Sequence, residues 1–274
     1  MKAFNALRGR RKRPSASMII AMVALFVALG GGAYAAVATT AEQAAHSKGA
    51  HWGLITRNTT GSAVGDLRSG PYGSFGVTGP AGQPPFGTGS LGLQVSDNAM
   101  SGGTPQEKVS FGNEVDFLGD TVQGLTAVGY RVFQTSENAA ISPSNLPNIT
   151  LEIDPNVGTS NYTSMVWVPD PIPTAQLDRW SSFQSAAHTG QWYFTGSAGT
   201  ITGCNQTTMC TFANAKQSLV TNNNGQNPSG GSIYTVAIAK GRDDAWVGAV
   251  DGLRINGTRY DFEAYGVNDT PAQG

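Results

Sequence analysis

The chain has 274 residues, 17 basic and 18 acidic side chains, 36 glycines, and only 13% charged residues. So little charge excludes a disordered polyelectrolyte, and so much glycine argues against a helical bundle and for an all-β chain with many turns. Six basic residues and no acidic one lie in the first 35 positions, which leaves 11 basic against 18 acidic, a balance of −7, in the remainder. That balance is a poor match to nucleic acid or to an anionic membrane surface.

The N-terminus reads as an address. Lys2, Arg8, Arg10, Arg11, Lys12 and Arg13 precede an apolar run from Met18 to Leu29, and Ala33-Tyr34-Ala35 supplies an A-x-A site. Basic, then apolar, then small is the order of a secretory signal peptide, so residues 1–35 predict a secreted or cell-surface protein. The alternative is an uncleaved anchor, because apolar and small residues continue to Ala38. The Gly30-Gly31-Gly32 break favours cleavage. Residues 36–50 read as a linker, 51–266 as one β domain, and 267–274 as a tail.

Within the domain, WGLITRN (Trp52 to Asn58) reads as a first strand. Gly61 to Gly89 reads as a long surface loop held down by Tyr72, Phe75 and Phe86. SLGLQVS (Ser90 to Ser96) alternates as a half-buried strand does. Lys108 to Phe111 follows as a short strand, and Asn113 to Asp120 as a strand or a polar turn. Leu125 to Thr135 carries bulk on both faces, as an inner strand would. Asn148 to Ile153, Thr163 to Val168 and Gln191 to Thr195 continue the series. One helix is expected over Thr211 to Val220, with Thr211 as N-cap and Phe212, Ala215, Lys216 and Leu219 at helical spacing. Ile233 to Lys240 is the clearest strand. Trp246 to Glu263 is a closing hairpin around Asn256-Gly257, the strongest short-range hairpin signal. The sum is an all-β, antiparallel two-sheet sandwich with one short helix. Cys204 and Cys210 make an even count in an exported chain and predict a disulfide closing a short local loop. Their spacing fits no zinc site, and His46, His51 and His188 are scattered.

GTGSLGLQV (Gly87 to Val95), CTFANAKQSL (Cys210 to Leu219), IYTVAIAKG (Ile233 to Gly241) and WVGAVDGLRINGTRYDFE (Trp246 to Glu263) together resemble the concanavalin A-like lectin/glucanase jelly-roll group, in particular exported actinobacterial proteins. The resemblance implies a jelly-roll sandwich. It leaves activity open, because that fold hosts lectins, carbohydrate-binding modules, hydrolases, lyases and plain surface domains. It also implies that Asp251-Gly252-Leu253 is a signature of the closing strand.

Leu151 to Asn156, LEIDPN, is the candidate for catalysis. Family sixteen glycoside hydrolases, which share this fold, use E-x-D-x-x-E or E-x-D-x-E on one strand. There the two-residue period points alternate carboxylates to one face, where they can flank a glycosidic bond. Glu152 and Asp154 match the first two positions, but Asn156 and Val157 follow, and an amide cannot exchange a proton near neutral pH. A non-catalytic strand is therefore the expectation, with a hydrolase or lyase using Glu152 and Asp154 as the alternative. For ligand binding the candidates are Trp180, Trp192 and Tyr193, an aromatic set beside amides and carboxylates. Structural calcium is the one cofactor the residues admit, through Asp97, Asn98, Asn113, Glu114, Asp116 and Asp120, although no D-x-D-x-D loop is present. The expected function is an exported, non-catalytic sandwich that binds extracellular or cell-wall polysaccharide or another cell-surface component. A structural envelope protein is the third reading.

Overall fold

The computed structural model describes residues 49–273, apart from 72–76, 78, 97–99, 102–103, 106, 141–145, 174–175 and 223–226. The proposed address segment, Asp97 and Asn98, and the rings of Tyr72 and Phe75 therefore lie outside the described residues. In chain order the strands are β1 (Trp52–Leu54), β2 (Val64–Ser69), β3 (Gly89–Val95), β4 (Met100–Ser101), β5 (Thr104–Pro105), β6 (Lys108–Asn113), β7 (Val128–Gln134), β8 (Asn148–Asp154), β9 (Thr163–Val168), β10 (Arg179–Trp180), β11 (Gln184–Ser185), β12 (Gln191–Phe194), β13 (Ser232–Gly241), β14 (Trp246–Ile255), β15 (Thr258–Glu263) and β16 (Gly266–Pro271). Two α-helices are described, α1 (Gly196–Thr202) and α2 (Phe212–Thr221), where the sequence predicted one.

The strands form two large antiparallel sheets. The six-stranded sheet has the order β1-β6-β13-β8-β9-β12. In the eight-stranded sheet β7 and β14 are central, and β14 is shared. Its first half, Trp246 to Val250, pairs with β3, and its last residues, Leu253 to Ile255, pair with β15. At the fork the pairing of β14 with β7 shifts register between Asp251 and Arg254, and Gly252 takes φ +60. The fork is stitched by buried carboxylates. Asp251 accepts from the backbone N–H of Phe262 on β15 (3.1 Å) and of Phe86 (3.2 Å) in the loop before β3. Glu263 accepts from the Thr88 N–H at 2.7 Å.

The alternation expected from the sequence faces the sheets onto one shared core. Ile149, Leu151 and Ile153 of β8, Met165 and Trp167 of β9, and Trp192 and Phe194 of β12 meet Leu91, Leu93, Tyr130, Val132, Val250, Tyr260 and Phe262 of the other sheet. Aromatic contacts cross the interface, as in Tyr130 against Trp167 (5.3 Å) and Phe111 against Phe262 (6.0 Å). Each such side chain contributes about 1.5–3 kcal/mol by leaving water. Helix α2 begins at the Thr211 cap, whose side chain accepts from the Asn214 N–H, and buries Phe212, Ala215 and Leu219. Cys204 and Cys210 are disulfide-bonded, as predicted, and Trp192 exchanges backbone hydrogen bonds with Cys210, so the bridge fixes α2 to β12.

Further stretches differ from the sequence reading. The strand predicted over Trp52 to Asn58 ends at Leu54, and Thr56–Asn58 forms a 3₁₀ turn. The long loop from Gly61 contains β2, VGDLRS, paired along its length with β3. Gly65 hid it: a Cβ there would stand 2.6 Å from a Val109 methyl, so close packing between the sheets demands glycine where a strand pattern would show bulk. The segment read as a tail from residue 267 is mostly strand, with Gly266–Pro271 paired to β15.

A groove on the outer face of the six-stranded sheet

The face of the six-stranded sheet turned away from the core carries the other half of the alternation. On β8 these are Asn148, Thr150, Glu152 and Asp154; on β9, Ser164 and Val166; on β12, Tyr193; on β6, Lys108 and Ser110; on β13, Thr235, Ala237 and Ala239. The register lays them in rows. Thr235, Glu152 and Ser164 stand side by side; then Gly112, Ala237, Thr150, Val166 and Tyr193; then Ser110, Ala239 and Asn148. Small and hydroxylated side chains leave space above the sheet, and a groove of about 210 Å³ runs over Ser110, Thr150, Ser164, Tyr193, Thr195 and Ala239.

Glu152 closes one end. It is buried, and both of its oxygens are occupied. Oε1 accepts from Asn58 Nδ2 and from Tyr162 Oη, each at 2.8 Å. Oε2 accepts from Thr235 Oγ1 at 2.9 Å and from the Arg57 guanidinium. Arg57 and Asn58 come from the 3₁₀ turn Thr56–Asn58 after β1. In the sheet, β6 and β13 separate that turn from β8, and both present small residues there, Gly112 and Ala237. A Cβ on Gly112 would meet the Ala237 Cβ at 2.7 Å. Arg57 also pairs with Glu114. Burial pushes the Glu152 carboxyl up, but hydrogen bonds from Asn58, Tyr162 and Thr235 and the charge of Arg57 outweigh it, and the net shift is downward. Glu152 is therefore an ionised carboxylate at neutral pH. It has no proton to donate, and its lone pairs are committed to the protein.

The turn that carries Arg57 and Asn58 is itself anchored. Glu107 accepts from the Ser62 N–H (2.8 Å) and hydroxyl (2.6 Å) through one oxygen and from the Ser96 N–H (2.7 Å) and hydroxyl (2.8 Å) through the other. The Ser62 hydroxyl does most to hold its carboxyl at about 2, ahead of the opposing effect of burial and with the Ser96 and Ser62 N–H groups adding to it.

The structure brings only part of the predicted set together. Tyr193 lines the groove, and Tyr162, a residue 53% exposed, stands at its Glu152 end. Trp192, one residue from Tyr193, is wholly enclosed: it packs on Phe212 at 5.2 Å and donates its indole N–H to Ala186 O at 2.7 Å, so it has no surface for a ligand. Trp180 belongs to the other sheet, paired with β7 and packed on Phe133 at 5.7 Å. Asp154 shares the outer face with Glu152 but ends the strand, accepting from the Asn156 N–H at 2.9 Å in an Asx turn. Of the calcium candidates, Asn113 and Asp116 close a local turn, Asp116 pairs with His51 at 2.7 Å, and Glu114 pairs with Arg57. Among the described residues no group of three or more His, Cys, Asp or Glu is arranged to hold a metal. Sequence reasoning missed Arg57, Asn58, Lys108 and Tyr162. Tyr162 and Lys108 had a local signal, since Tyr162 continues the outward alternation of Ser164 and Val166 and Lys108 shares that of Ser110.

No protein-family model matches this chain, and neither a curated protein nor a solved structure matches it significantly. The fold shown is that of an antiparallel β-sandwich, and the reading of its function rests on the groove.

Proposed function

We propose that this chain is an exported, non-catalytic sandwich of the concanavalin A-like jelly-roll type that binds polysaccharide along the outer face of its six-stranded sheet. One observation carries the reading: an open groove lined by hydroxyl and amide side chains with two tyrosine rings, Tyr193 and Tyr162, beside it. Apolar ring faces next to polar groups in a preformed cleft suit the alternating CH and OH surfaces of a sugar. A buried carboxylate that is ionised and fully hydrogen-bonded positions Tyr162 and supports binding over bond cleavage. Export is supported by the basic, apolar and small order of residues 1–35 and by the Cys204–Cys210 disulfide.

The test is affinity electrophoresis and calorimetry of the purified protein against soluble plant, fungal and bacterial polysaccharides, with reducing-end release measured in parallel. Binding to at least one polymer, lost in Tyr193→Ala and weakened in Tyr162→Ala, with no new reducing ends, is the expected result. Absence of binding across the panel would overturn the proposal, as would release of reducing ends that Glu152→Gln abolishes.

A further inference from the structure

Among the described residues, three that line the groove carry charge: Lys108, Glu152 and Lys240. Two of them are already answered within the protein. Glu152 accepts four hydrogen bonds and faces Arg57, and the buried Lys240 pairs with Asp243. Lys108 is different. It is half-buried at the start of β6, opposite Gly241, and among the described residues no carboxylate lies within ion-pairing distance of it. The charges acting on it are Arg242, beyond the end of β13, Glu152 and Arg57, and its pKa is lowered, by burial first and then by Arg242, with Glu152 opposing and Arg57 adding a smaller share. A cation held in a partly desolvated groove, with no carboxylate among the described residues at ion-pairing distance, is a cost to the fold that an anionic ligand would relieve. Glu152, by contrast, has no free lone pair to accept a hydroxyl from a neutral sugar.

We propose that the groove selects polysaccharides that carry negative charge, with Lys108 as the side chain that reads the anion. This rests on the groove being a glycan site. The preference runs against the acidic balance of the chain beyond residue 35, so a general attraction between protein and polyanion does not account for it. One charge-assisted contact in a partly buried site supports a preference of about tenfold or more, or about 1.4 kcal/mol for each factor of ten.

The experiment compares polygalacturonate, dextran sulfate and neutral dextran at one ionic strength, with wild type, Lys108→Gln, Lys108→Arg and Arg254→Gln, the last being a control on the opposite sheet. Thermal melts confirm that each variant is folded. Wild type is expected to bind at least one anionic polymer about tenfold more tightly than dextran. Lys108→Gln should reduce that affinity to the level of dextran, while Lys108→Arg and Arg254→Gln retain it. Tighter binding of polygalacturonate than of dextran sulfate would identify carboxylate as the anion, and the reverse would identify sulfate. Equal affinity for dextran and both anionic polymers overturns the charge reading and leaves the glycan site standing, as does a preference that survives Lys108→Gln. If no polymer binds, the glycan site falls, and the charge reading with it.

Discussion

Replacing Glu107 by glutamine removes a charge that the fold surrounds with four donors. One oxygen takes the N–H and hydroxyl of Ser62, and the other takes those of Ser96. An amide keeps one oxygen and puts an NH₂ in place of the other. The serine hydroxyl facing that NH₂ can turn and accept, but the backbone N–H beside it cannot, and it loses its partner in a site where Glu107 is only 3% exposed. A buried donor left unmatched costs about 1–3 kcal/mol, so Glu107→Gln should destabilise by about 2 kcal/mol at neutral pH. For a domain of this size that corresponds to a melting point lower by roughly 4–8 °C. The cost should depend on pH in a definite direction. The carboxyl titrates at about 2 in the fold against an ordinary value of 4.5, so the unfolded chain binds the proton first as the solution is acidified. The stabilisation from ionised Glu107 is fully present above about pH 4.5 and is lost as pH falls through 2. Urea unfolding followed by tryptophan fluorescence from pH 7 to pH 2.5 measures it, and the gap between wild type and variant should narrow steadily over the acid half of that range. Equal stability at pH 7, or a gap as wide at pH 2.5 as at pH 7, would refute the reasoning. Because Ser62 follows the turn that carries Arg57 and Asn58, the variant should also loosen the groove end at Glu152, seen as faster amide exchange at those residues.

Other consequences are open to measurement. Gly252→Ala should cost about 1–3 kcal/mol, since the residue has φ +60 and a Cβ would stand 2.3 Å from a Phe86 ring carbon; an unchanged melting curve would contradict this account of the β14 fork. Asp251 is pushed up to about 7 by burial, only partly offset by the N–H groups of Phe262, Gly252 and Phe86, with Asp261 adding to the rise. The folded state therefore holds a proton that the unfolded chain releases near 3.8, and this group's contribution to stability declines as pH rises from about 4 to 7. A carbon-detected titration should show its midpoint near 7; a midpoint below 4 would mean that the N–H donors outweigh burial. The Cys204→Ser, Cys210→Ser pair should lose about 2 kcal/mol, the chain-entropy value for so short a loop, and keep its fold, because the bridge closes only six residue steps. Loss of the near-ultraviolet dichroism of the whole domain would show that the bridge has a global role instead.

The strands that could be read from the sequence are those whose neighbours do not matter to the pattern. In β8, β9 and β13 a bulky residue falls at almost every second position because both sheets need it in the core, so the chain itself carries the period. β2 and β16 lack that signature for different reasons. β2 must give up bulk at Gly65 to let Val109 in, and β16 is an edge strand held chiefly by its backbone pairing with β15. α1, GSAGTIT, is rich in glycine and threonine, and only Ala198 and Gly199 of it are buried, so no apolar stripe marked it. The groove was half legible. Spacing singled out Glu152, yet what defines its chemistry arrives from Asn58, 94 residues earlier, and Thr235, 83 residues later. Such partners are set by sheet order, which local periodicity does not encode. The aromatic run QWYF was recognised as important, and its alternation decides which ring is core and which lines the groove: Trp192 and Phe194 go in, and Tyr193 stays out.

The most direct test of the central claim is an amide-shift titration of the isotope-labelled protein with an oligogalacturonide. Saturable shifts confined to Ser110, Thr150, Ser164, Tyr193 and Thr195, around the groove of the six-stranded sheet, are the predicted result. Shifts gathered around Trp180 on the opposite sheet would contradict it, as would an unperturbed spectrum with this ligand and with its neutral counterpart alike.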